Sequence, residues 1–249
     1  MITSLWYRYR RTLTRNSIDT VSMFIRPLIL ASLLLVFGAF SAAAELGFLV
    51  ASVIICNILV NGVVGTAFEV RNDMTGAKLD VISLAPKGLW GYLRTQSYVQ
   101  CTAAVVQTIP IWLAFGWTFD MSGRAFLEVI ALTVVLWVIA VCLSILAGAR
   151  TLASGSFALV SFIIGIAIAL GGAYYPIGLL PKWLQWVARG NPVTYVVDAV
   201  RVPITNSDPF MDMTTEVIVM IVTAVVLVGA IAIYTRCHRW DLSRLKGTG

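Results

Sequence analysis

The side chains able to do chemistry in this sequence are few, and their spacing matches no familiar catalytic or nucleotide-binding pattern. The one histidine, His238, has no second histidine near it, whereas a metal site needs several convergent ligands. The 249 residues contain no G-x-x-x-x-G-K-[ST] phosphate loop, no G-x-S-x-G elbow and no H-E-x-x-H pair. We therefore predict no enzyme activity, no metal site and no cofactor held by this chain.

Amide side chains are the most notable polar groups, because four of them lie within long apolar stretches. Asn57 and Asn61 are four residues apart and so share one face of a helix. Gln100 and Gln107 lie further along the chain. A buried amide in lipid either bonds to a neighbouring helix or faces a wetted path. Both interpretations stay open; under the second, these four residues and Tyr174 line a transport path, and Phe157, Phe162 and Tyr174 close its outer gate.

Six long uncharged stretches must position these side chains. About 20 apolar residues are needed to cross a bilayer as a helix, and only helices or closed barrels satisfy their backbone there. With 59% hydrophobic and 12% charged residues, the chain is predicted to be an all-α membrane protein, a single domain over 1–249 with six transmembrane helices. A tight hairpin is expected at 44–47. The stretches are 27–44, 46–68, 95–119, 129–149, 151–181 and 217–235.

Positive charge is distributed unevenly along the chain. Most of the 18 Lys and Arg residues lie before the first stretch, between the second and third, between the fourth and fifth at Arg150, or after the sixth. Because cytoplasmic loops carry the positive excess, both termini are predicted to be cytoplasmic. The net charge of +6 is thus a topology signal, and we exclude nucleic acid as a partner.

Two segments on the predicted cytoplasmic side have an amphipathic or mixed character. Residues 4–22 place aromatic and arginine side chains on opposite faces, as a helix in the membrane interface does, although a disordered basic tail is the alternative. Residues 69–80 combine charges with apolar side chains, which suits either a short helix that touches a partner or a solvated loop.

The longest outer segment, 174–216, is predicted to contain two short helices. Lys182–Arg189 has an amphipathic pattern, with Trp183 and Trp186 on one side, and Gly190-Asn191-Pro192 ends it. A second helix follows from Val193 to Arg201, with Asp198 three residues before Arg201. We expect 174–201 to dip into the membrane and return, as re-entrant helices between spans five and six.

This outer segment resembles the signature of type-2 ABC exporter permeases, most closely those of the daunorubicin-resistance type. The family pattern is an apolar run with Pro, then Leu-Pro-x-Trp-Leu, Asn-Pro-x-Thr and an Arg. The cytoplasmic segment also resembles the family in Glu69, Arg71, Gly76 and Pro86, although Thr75-Gly76 reverses the usual order. The matching outer residues are Pro176, Leu180, Pro181, Trp183, Leu184, Asn191, Pro192, Thr194 and Arg201.

The resemblance implies a division of labour between chains. The chain would be a permease that pairs with an identical or a paralogous permease and docks two copies of a separate ATPase, which hold the ATP and Mg. The ATPase-coupling residues it implies are Glu69, Arg71, Asp73, Gly76 and Lys78. Membrane lipids are the other partners, and the bacterial plasma membrane is the expected location.

The implied function is ATP-driven export of a hydrophobic small molecule, a drug or a lipid-like compound. A polysaccharide or glycolipid exporter shares the fold and is one alternative. A stand-alone secondary transporter is another, but it usually has ionisable groups at mid-membrane, and no stretch of this sequence has one in its central part. A membrane scaffold is the third alternative.

Overall fold

A computed structural model describes residues 43–75, 88–118, 123–173, 177–205 and 212–237, and these ranges are helical apart from their connections. The predicted helix 4–22, nearly all of span 27–44, Gly76, Lys78, Pro86, Tyr174, Pro176 and His238 lie outside the described residues. The helices are α1 (Ala43–Asn57), a π-helical segment (Ile58–Val64), α2 (Gly65–Thr75), α3 (Gly88–Thr118), α4 (Gly123–Ser154), α5 (Ala158–Leu170), α6 (Lys182–Arg189), α7 (Pro192–Thr205) and α8 (Met213–Cys237).

α1, the π segment and α2 follow one another without a break and form one long rod. The rod begins at Ala43, so the hairpin predicted at 44–47 is wrong: these residues lie inside α1. Ala, Glu and Leu are strong helix formers, and the single Gly47 costs a helix only about 1 kcal/mol. The rod also continues to Thr75, so 69–75 extend the second span and do not form a separate helix.

Three described helices are long and apolar enough to cross a membrane by length and composition: Val50–Met74, Gly123–Ser154 and Met213–Thr235. α3 has 31 residues and contains Pro110 in its interior. The count of six spans and the side on which the termini lie remain predictions.

The predicted span 151–181 is divided in the structure. α4 runs on through Arg150 to Ser154, and Gly155 then adopts a positive φ of 66° that ends the helix. α5 follows with only 13 residues, which is too short to cross a bilayer alone. Hydropathy misplaced this boundary because the Ser and Gly residues that break the helix carry no charge.

Side-chain contacts bring the helix termini to two ends of the bundle. At one end, which we name the Arg71 end, the end of α2 contacts the start of α3 and the α4–α5 connection, and the start of α3 contacts the last turns of α8. At the other, the Asn191 end, α5 finishes against α6 and α7. The described parts of the segments that the sequence assigns to the cytoplasmic side, at the ends of α2, α4 and α8 and the start of α3, therefore lie at the Arg71 end.

The core is built around the rod, against which α3, α4 and α7 all pack. Of its most apolar stretch, 78% is buried inside this chain, against 11% for that of α8. α7 lies between α1, α4 and α8. The rod is thus the central element, and α8 presents most of its surface outward. The largest fully buried apolar side chains are Ile54, Ile55, Ile58, Leu59, Leu93, Ile111, Leu136, Leu152, Ile168 and Met220.

Candidate functional site

Three of the predicted pathway amides meet between the rod and α3. Asn57 donates from Nδ2 to the Ala104 carbonyl at 2.9 Å. Asn61, in the π segment, donates from Nδ2 to Asn57 Oδ1 at 2.5 Å and to Gln107 Oε1 at 3.4 Å. Asn57 is 7% exposed and Gln107 is 1% exposed. We name Asn57, Asn61 and Gln107 the amide cluster; it joins two helices through polar contacts in an otherwise apolar region.

The amide cluster leaves one donor unsatisfied. The Nε2 atom of Gln107 is buried and has no hydrogen-bond partner within the described ranges. Gln107 can donate two hydrogen bonds from this nitrogen. Asn61, by contrast, is half-buried and so reaches the surface of the chain.

The π segment next to the cluster is tied to α3 and α4 by small polar groups. Thr66 Oγ1 donates to the Gly62 carbonyl at 2.7 Å, and Ser144 Oγ donates to the same oxygen at 3.1 Å. Cys101 Sγ lies 3.1 Å from Ser144 Oγ. A Cβ on Gly62 would lie 3.1 Å from Cys101 Sγ, so glycine allows α3 to approach here. Such widened turns inside α-helices are frequent at functional sites.

The other predicted pathway and gate residues are placed differently. Gln100 is half-buried on α3, and its Oε1 would lie 3.9 Å from a Cβ on Gly65, one turn from the amide cluster. Phe162 is exposed on α5. The prediction that Phe157 closes an outer gate is wrong, because its ring lies at the Arg71 end, opposite the predicted outer helices. The sequence placed Phe157 inside a span that the structure interrupts.

Arg71 connects the end of the rod to the α4–α5 connection. Its Nη1 donates to the Gly155 carbonyl at 2.9 Å, and its guanidinium carbon lies 5.6 Å from the centroid of the Phe157 ring. Phe157 in turn packs edge-on against Phe68, with the ring centroids 5.6 Å apart. The cation, the two rings and one carbonyl thus attach α2 to the start of α5.

Asp73 connects the same end of the rod to α3. Tyr92 donates from its hydroxyl to Asp73 Oδ2 at 2.7 Å, and Tyr92 is itself buried. Two residues earlier, Trp90 packs edge-on against Tyr234 of α8 at 5.7 Å. Of the predicted coupling residues, Arg71 contacts the α4–α5 connection and Asp73 contacts α3, and Glu69 lies half-buried on α2.

The predicted signature residues at the Asn191 end hold three helices together. Asn191 donates from Nδ2 to the Ala167 carbonyl of α5 at 2.6 Å, and its Oδ1 accepts the Val193 N–H at 3.1 Å. Asn191 is thus the N-cap of α7, and Pro192 occupies the first helical position, where its missing N–H costs nothing. One side chain caps α7 and anchors it to α5.

The hydroxyl residues that follow fix the turn between α6 and α7. Thr194 donates from Oγ1 to the Ala188 carbonyl at 2.7 Å, and Tyr195 donates to the Arg189 carbonyl at 2.5 Å. Gln185 of α6 donates from Nε2 to the carbonyl of Leu180, which precedes this helix, at 2.9 Å. The Asn-Pro-x-Thr sequence therefore stabilises the turn between α6 and α7, and so the angle between these two short helices.

Gly171 provides the close contact between α5 and α7. A Cβ added there would lie 2.8 Å from the Ala167 carbonyl oxygen and 2.9 Å from Val193 Cγ1. Real Cβ atoms do not approach other atoms so closely, so any side chain would push the two helices apart. The following Gly172 has a positive φ of 73°, which carries the chain out of the helix.

Asp198 and Arg201 form an ion pair within α7, as their spacing in the sequence allows. Arg201 Nη2 lies 2.5 Å from Asp198 Oδ1, and the side chains are 17% and 5% exposed for Arg201 and Asp198 respectively. Charges this buried need a partner. Arg201 and Asp198 have that partner in each other, so neither is left as a lone charge inside the bundle.

α6 presents its tryptophans outward. Trp183 and Trp186 are 66% and 70% exposed, and Arg189 lies over the Trp186 ring at 4.9 Å from its centroid. Exposed tryptophans next to a cation are typical of side chains at a membrane–water interface. Pro181 caps the start of this helix with its carbonyl, which accepts the Leu184 N–H at 2.9 Å.

Glu216 is a buried acid that the sequence analysis did not single out. It lies in the first turn of α8 and is fully buried, and its N–H donates to the Asp212 carbonyl at 3.1 Å. The sequence analysis began the sixth stretch at residue 217 and assigned Glu216 to the outer segment. The available signal was its position in a helical first turn, where an acidic side chain interacts favourably with the helix dipole.

Titratable side chains do not gather into a metal site in the described ranges: no group of three or more His, Cys, Asp or Glu residues is placed to hold an ion there. The polar arrangement instead joins helices to one another. It can transmit a displacement, position an amide donor inside the membrane, or both.

One comparison with known proteins identifies a family. The model of the family described as "ABC-2 type transporter" matches residues 1–204, which is most of the chain. No individual curated protein matches it.

Proposed function

We propose that this chain exports a hydrophobic small molecule, drug or lipid-like compound from a bacterial cell. The chain belongs to the ABC-2 type transporter family, and it is therefore a transmembrane permease, a transport subunit without catalytic activity. ABC permeases pair with ATPase subunits. The ATP and Mg would be held by a separate ATPase, and the chain would work as an identical or paralogous pair in the plasma membrane.

The single observation that carries this proposal is the family match over residues 1–204. Two features of the fold support the export machinery. The Asn-Pro-x-Thr turn fixes α6 and α7 at one end, and the Arg71 end gathers α2, α3 and the α4–α5 connection at the other. Such a contiguous set of packed helices offers a route by which a movement at one end reaches the other, since packed elements shift between discrete arrangements.

The Arg71 end is the proposed docking surface for the ATPase. Arg71 and Asp73 are held against neighbouring helices, and Glu69 lies beside them. An ATPase that pushes on 69–80 would therefore move α3 and the start of α5 together with the rod. Among the described residues, Arg71, Arg94 and Arg150 lie toward this end, and this positive charge supports placing it in the cytoplasm.

The apolar character of the described membrane helices supports a hydrophobic cargo. The buried polar side chains of the described ranges are mainly amides and hydroxyls; the acid Glu216 lies in the first turn of α8, and Asp198 of α7 is paired with Arg201. Amides and apolar walls suit a molecule with few charges. A polysaccharide would need many more hydrogen-bonding groups along its path.

The test is reconstitution of the permease with the ATPase that co-purifies with it. We expect ATP-dependent movement of a fluorescent hydrophobic dye in proteoliposomes, and none when the permease is reconstituted alone. The double variant Glu69→Ala/Arg71→Ala should lose most cargo-stimulated ATP hydrolysis. Arg150→Ala, an exposed arginine of α4 near the same end, is the matched control and should retain it.

Three results would contradict the proposal. Uphill dye transport without any ATPase would identify a secondary transporter. Transport of an oligosaccharide but not of the dye would point to a polysaccharide exporter. Normal coupling in the Glu69/Arg71 double variant would show that the ATPase docks elsewhere.

A further inference from the structure

We propose that Gln107 is a cargo-binding residue, which donates a hydrogen bond from Nε2 to an oxygen acceptor, such as a carbonyl, on the transported molecule. This inference rests on the proposed function and adds to it the polar chemistry by which an apolar cargo is recognised. The observation behind it is the buried Nε2 atom that has no partner among the described residues.

The hydrogen bonds of the amide cluster all run in one direction. Asn57 donates to the Ala104 carbonyl, Asn61 donates to Asn57 and to Gln107, and Gln107 receives one hydrogen bond at its oxygen. The series therefore ends in a nitrogen that has two donor hydrogens and meets no acceptor in the part of the chain that the structure describes. Leaving a buried donor without a partner costs its full desolvation penalty, so buried donors are rarely left so.

Packing alone does not account for Gln107. A leucine or methionine of similar size would fill the same space on α3 without an orphan donor, and the amide makes only one hydrogen bond, at 3.4 Å. That bond is the longest in the cluster. It is therefore the contact that an incoming acceptor displaces most easily.

Asn61, which contacts Gln107, lies nearer the surface of the chain. Asn61 is half-buried, and Val60 beside it is 42% exposed, so this part of the π segment reaches the surface of the chain. An amide facing hydrocarbon is unfavourable, so this surface should face either a second permease or the transported molecule. We propose that it faces the transported molecule. A second permease that covered this surface but left Gln107 Nε2 unbonded would not remove the desolvation penalty of that buried donor.

The chemical class of the ligand follows from the surroundings. The neighbours of the cluster on the rod, Ile58, Leu59 and Val63, are buried aliphatic side chains. No acidic or basic side chain lies on the π segment. A neutral molecule with one oxygen acceptor on an apolar body fits this combination, since one or two placed donors in an apolar pocket are the usual way to orient such a ligand.

The experiment uses the full permease with its ATPase in proteoliposomes and two fluorescent dyes of equal size and hydrophobicity, one with a carbonyl and one with a methylene in its place. Wild type should respond to the carbonyl dye at a lower concentration. Gln107→Met should raise the concentration for half-maximal stimulation of ATP hydrolysis about 10-fold for the carbonyl dye, which corresponds to about 1.4 kcal/mol, and leave the methylene dye unchanged.

Matched variants separate binding from folding. Thr108→Val removes the neighbouring buried hydroxyl, which already bonds to the Val105 carbonyl at 2.7 Å, and should not change the preference between the dyes. Gln107→Leu also removes the amide, with a side chain of different shape, and should behave as Gln107→Met does toward the carbonyl dye. A melting temperature equal to that of wild type in either Gln107 variant assigns its effect to the ligand.

Each remaining outcome is decisive. If Gln107→Met weakens the response to both dyes equally, or if wild type does not distinguish them, Gln107 is a structural residue whose donor meets a buried water, and the inference is wrong while the proposed function stands. If wild type responds to neither dye but moves another class of cargo, the proposed function fails, and this inference fails with it.

Discussion

Replacing Asn191 with alanine should destabilise the Asn191 end of the bundle by about 2 kcal/mol. The side chain makes two hydrogen bonds, one to the Ala167 carbonyl at 2.6 Å and one from the Val193 N–H at 3.1 Å. Loss of an N-cap costs typically about 1 kcal/mol, and loss of the second hydrogen bond about 1 kcal/mol more. The Ala167 oxygen still accepts the Gly171 N–H at 2.9 Å, so no buried acceptor is left empty and a larger loss is not expected.

The assay is thermal unfolding of the purified permease, followed by the fluorescence of its 8 tryptophans. For a chain of this size, a loss of 2 kcal/mol lowers the melting temperature by roughly 4–8 °C. Cargo-stimulated ATP hydrolysis measured at a temperature where both proteins are folded should fall as well, because α6 and α7 lose their fixed angle to α5.

The control is Asn191→Ser, which keeps an oxygen able to cap α7 but loses the donor to the Ala167 carbonyl. Its loss should be about half that of the alanine variant, roughly 1 kcal/mol, if the two contacts are separate. An alanine variant that melts within about 1 °C of wild type would refute the reasoning, because neither contact could then hold the helices together. Equal losses in both variants would show that the cap contributes nothing.

Other substitutions test the remaining contacts. Gly171→Ala should lower the free energy of unfolding by about 1–3 kcal/mol, because the added Cβ would overlap Val193 of α7. Gly165→Ala on α5 is the control: its Cβ would meet nothing within 4 Å, so it should be neutral or stabilising. The melting temperatures of the two variants test this difference. Asp198→Ala should cost about 3–5 kcal/mol by breaking the buried ion pair with Arg201, and Asp198→Ala/Arg201→Leu should recover part of this loss in a double-mutant cycle. Tyr92→Phe should lower stability by at most about 1.5 kcal/mol yet weaken cargo-stimulated ATP hydrolysis, and unaffected hydrolysis would argue against transmission through α3.

The sequence predicted the helices best where side-chain chemistry ends a helix. Gly190-Asn191-Pro192 separates two short helices in the sequence, and the structure has α6 ending at Arg189 and α7 beginning at Pro192. Asp198 and Arg201 meet as their spacing predicts. Caps, prolines and three-residue spacing act locally, so a sequence reveals them without tertiary information.

Boundaries within apolar sequence could not be read in the same way. Hydropathy measures the transfer of side chains from water to lipid. An apolar stretch therefore has the same mean hydropathy whether its helix continues or ends. The hairpin at 44–47 was expected because 42 residues with one charge are too many for one crossing, yet these positions are helical. Gly155 divides the fifth stretch through its positive φ, which an apolar average does not register.

The contacts between distant helices were beyond the sequence. Asn57 and Asn61 share a face by spacing, but nothing in the pattern identifies Gln107 as their partner on α3, or Gly155 as the partner of Arg71. Such pairs depend on the rotation of one helix against another, which packing of many apolar side chains decides together. The burial of Glu216 has the same origin.

The central element of this permease is one continuous helical rod, because α1, the π segment and α2 follow one another without a break. Ala43 to Thr75, at a rise of 1.5 Å per residue, is roughly 50 Å of helix, longer than the hydrocarbon core is thick. α7 packs against α1 in the first half of the rod, and Arg71 and Asp73 lie near its other end, in α2. If an ATPase acts at Arg71 and Asp73 as proposed, the unbroken rod would carry that displacement toward α7, and we expect any bend in the rod to occur at the π segment.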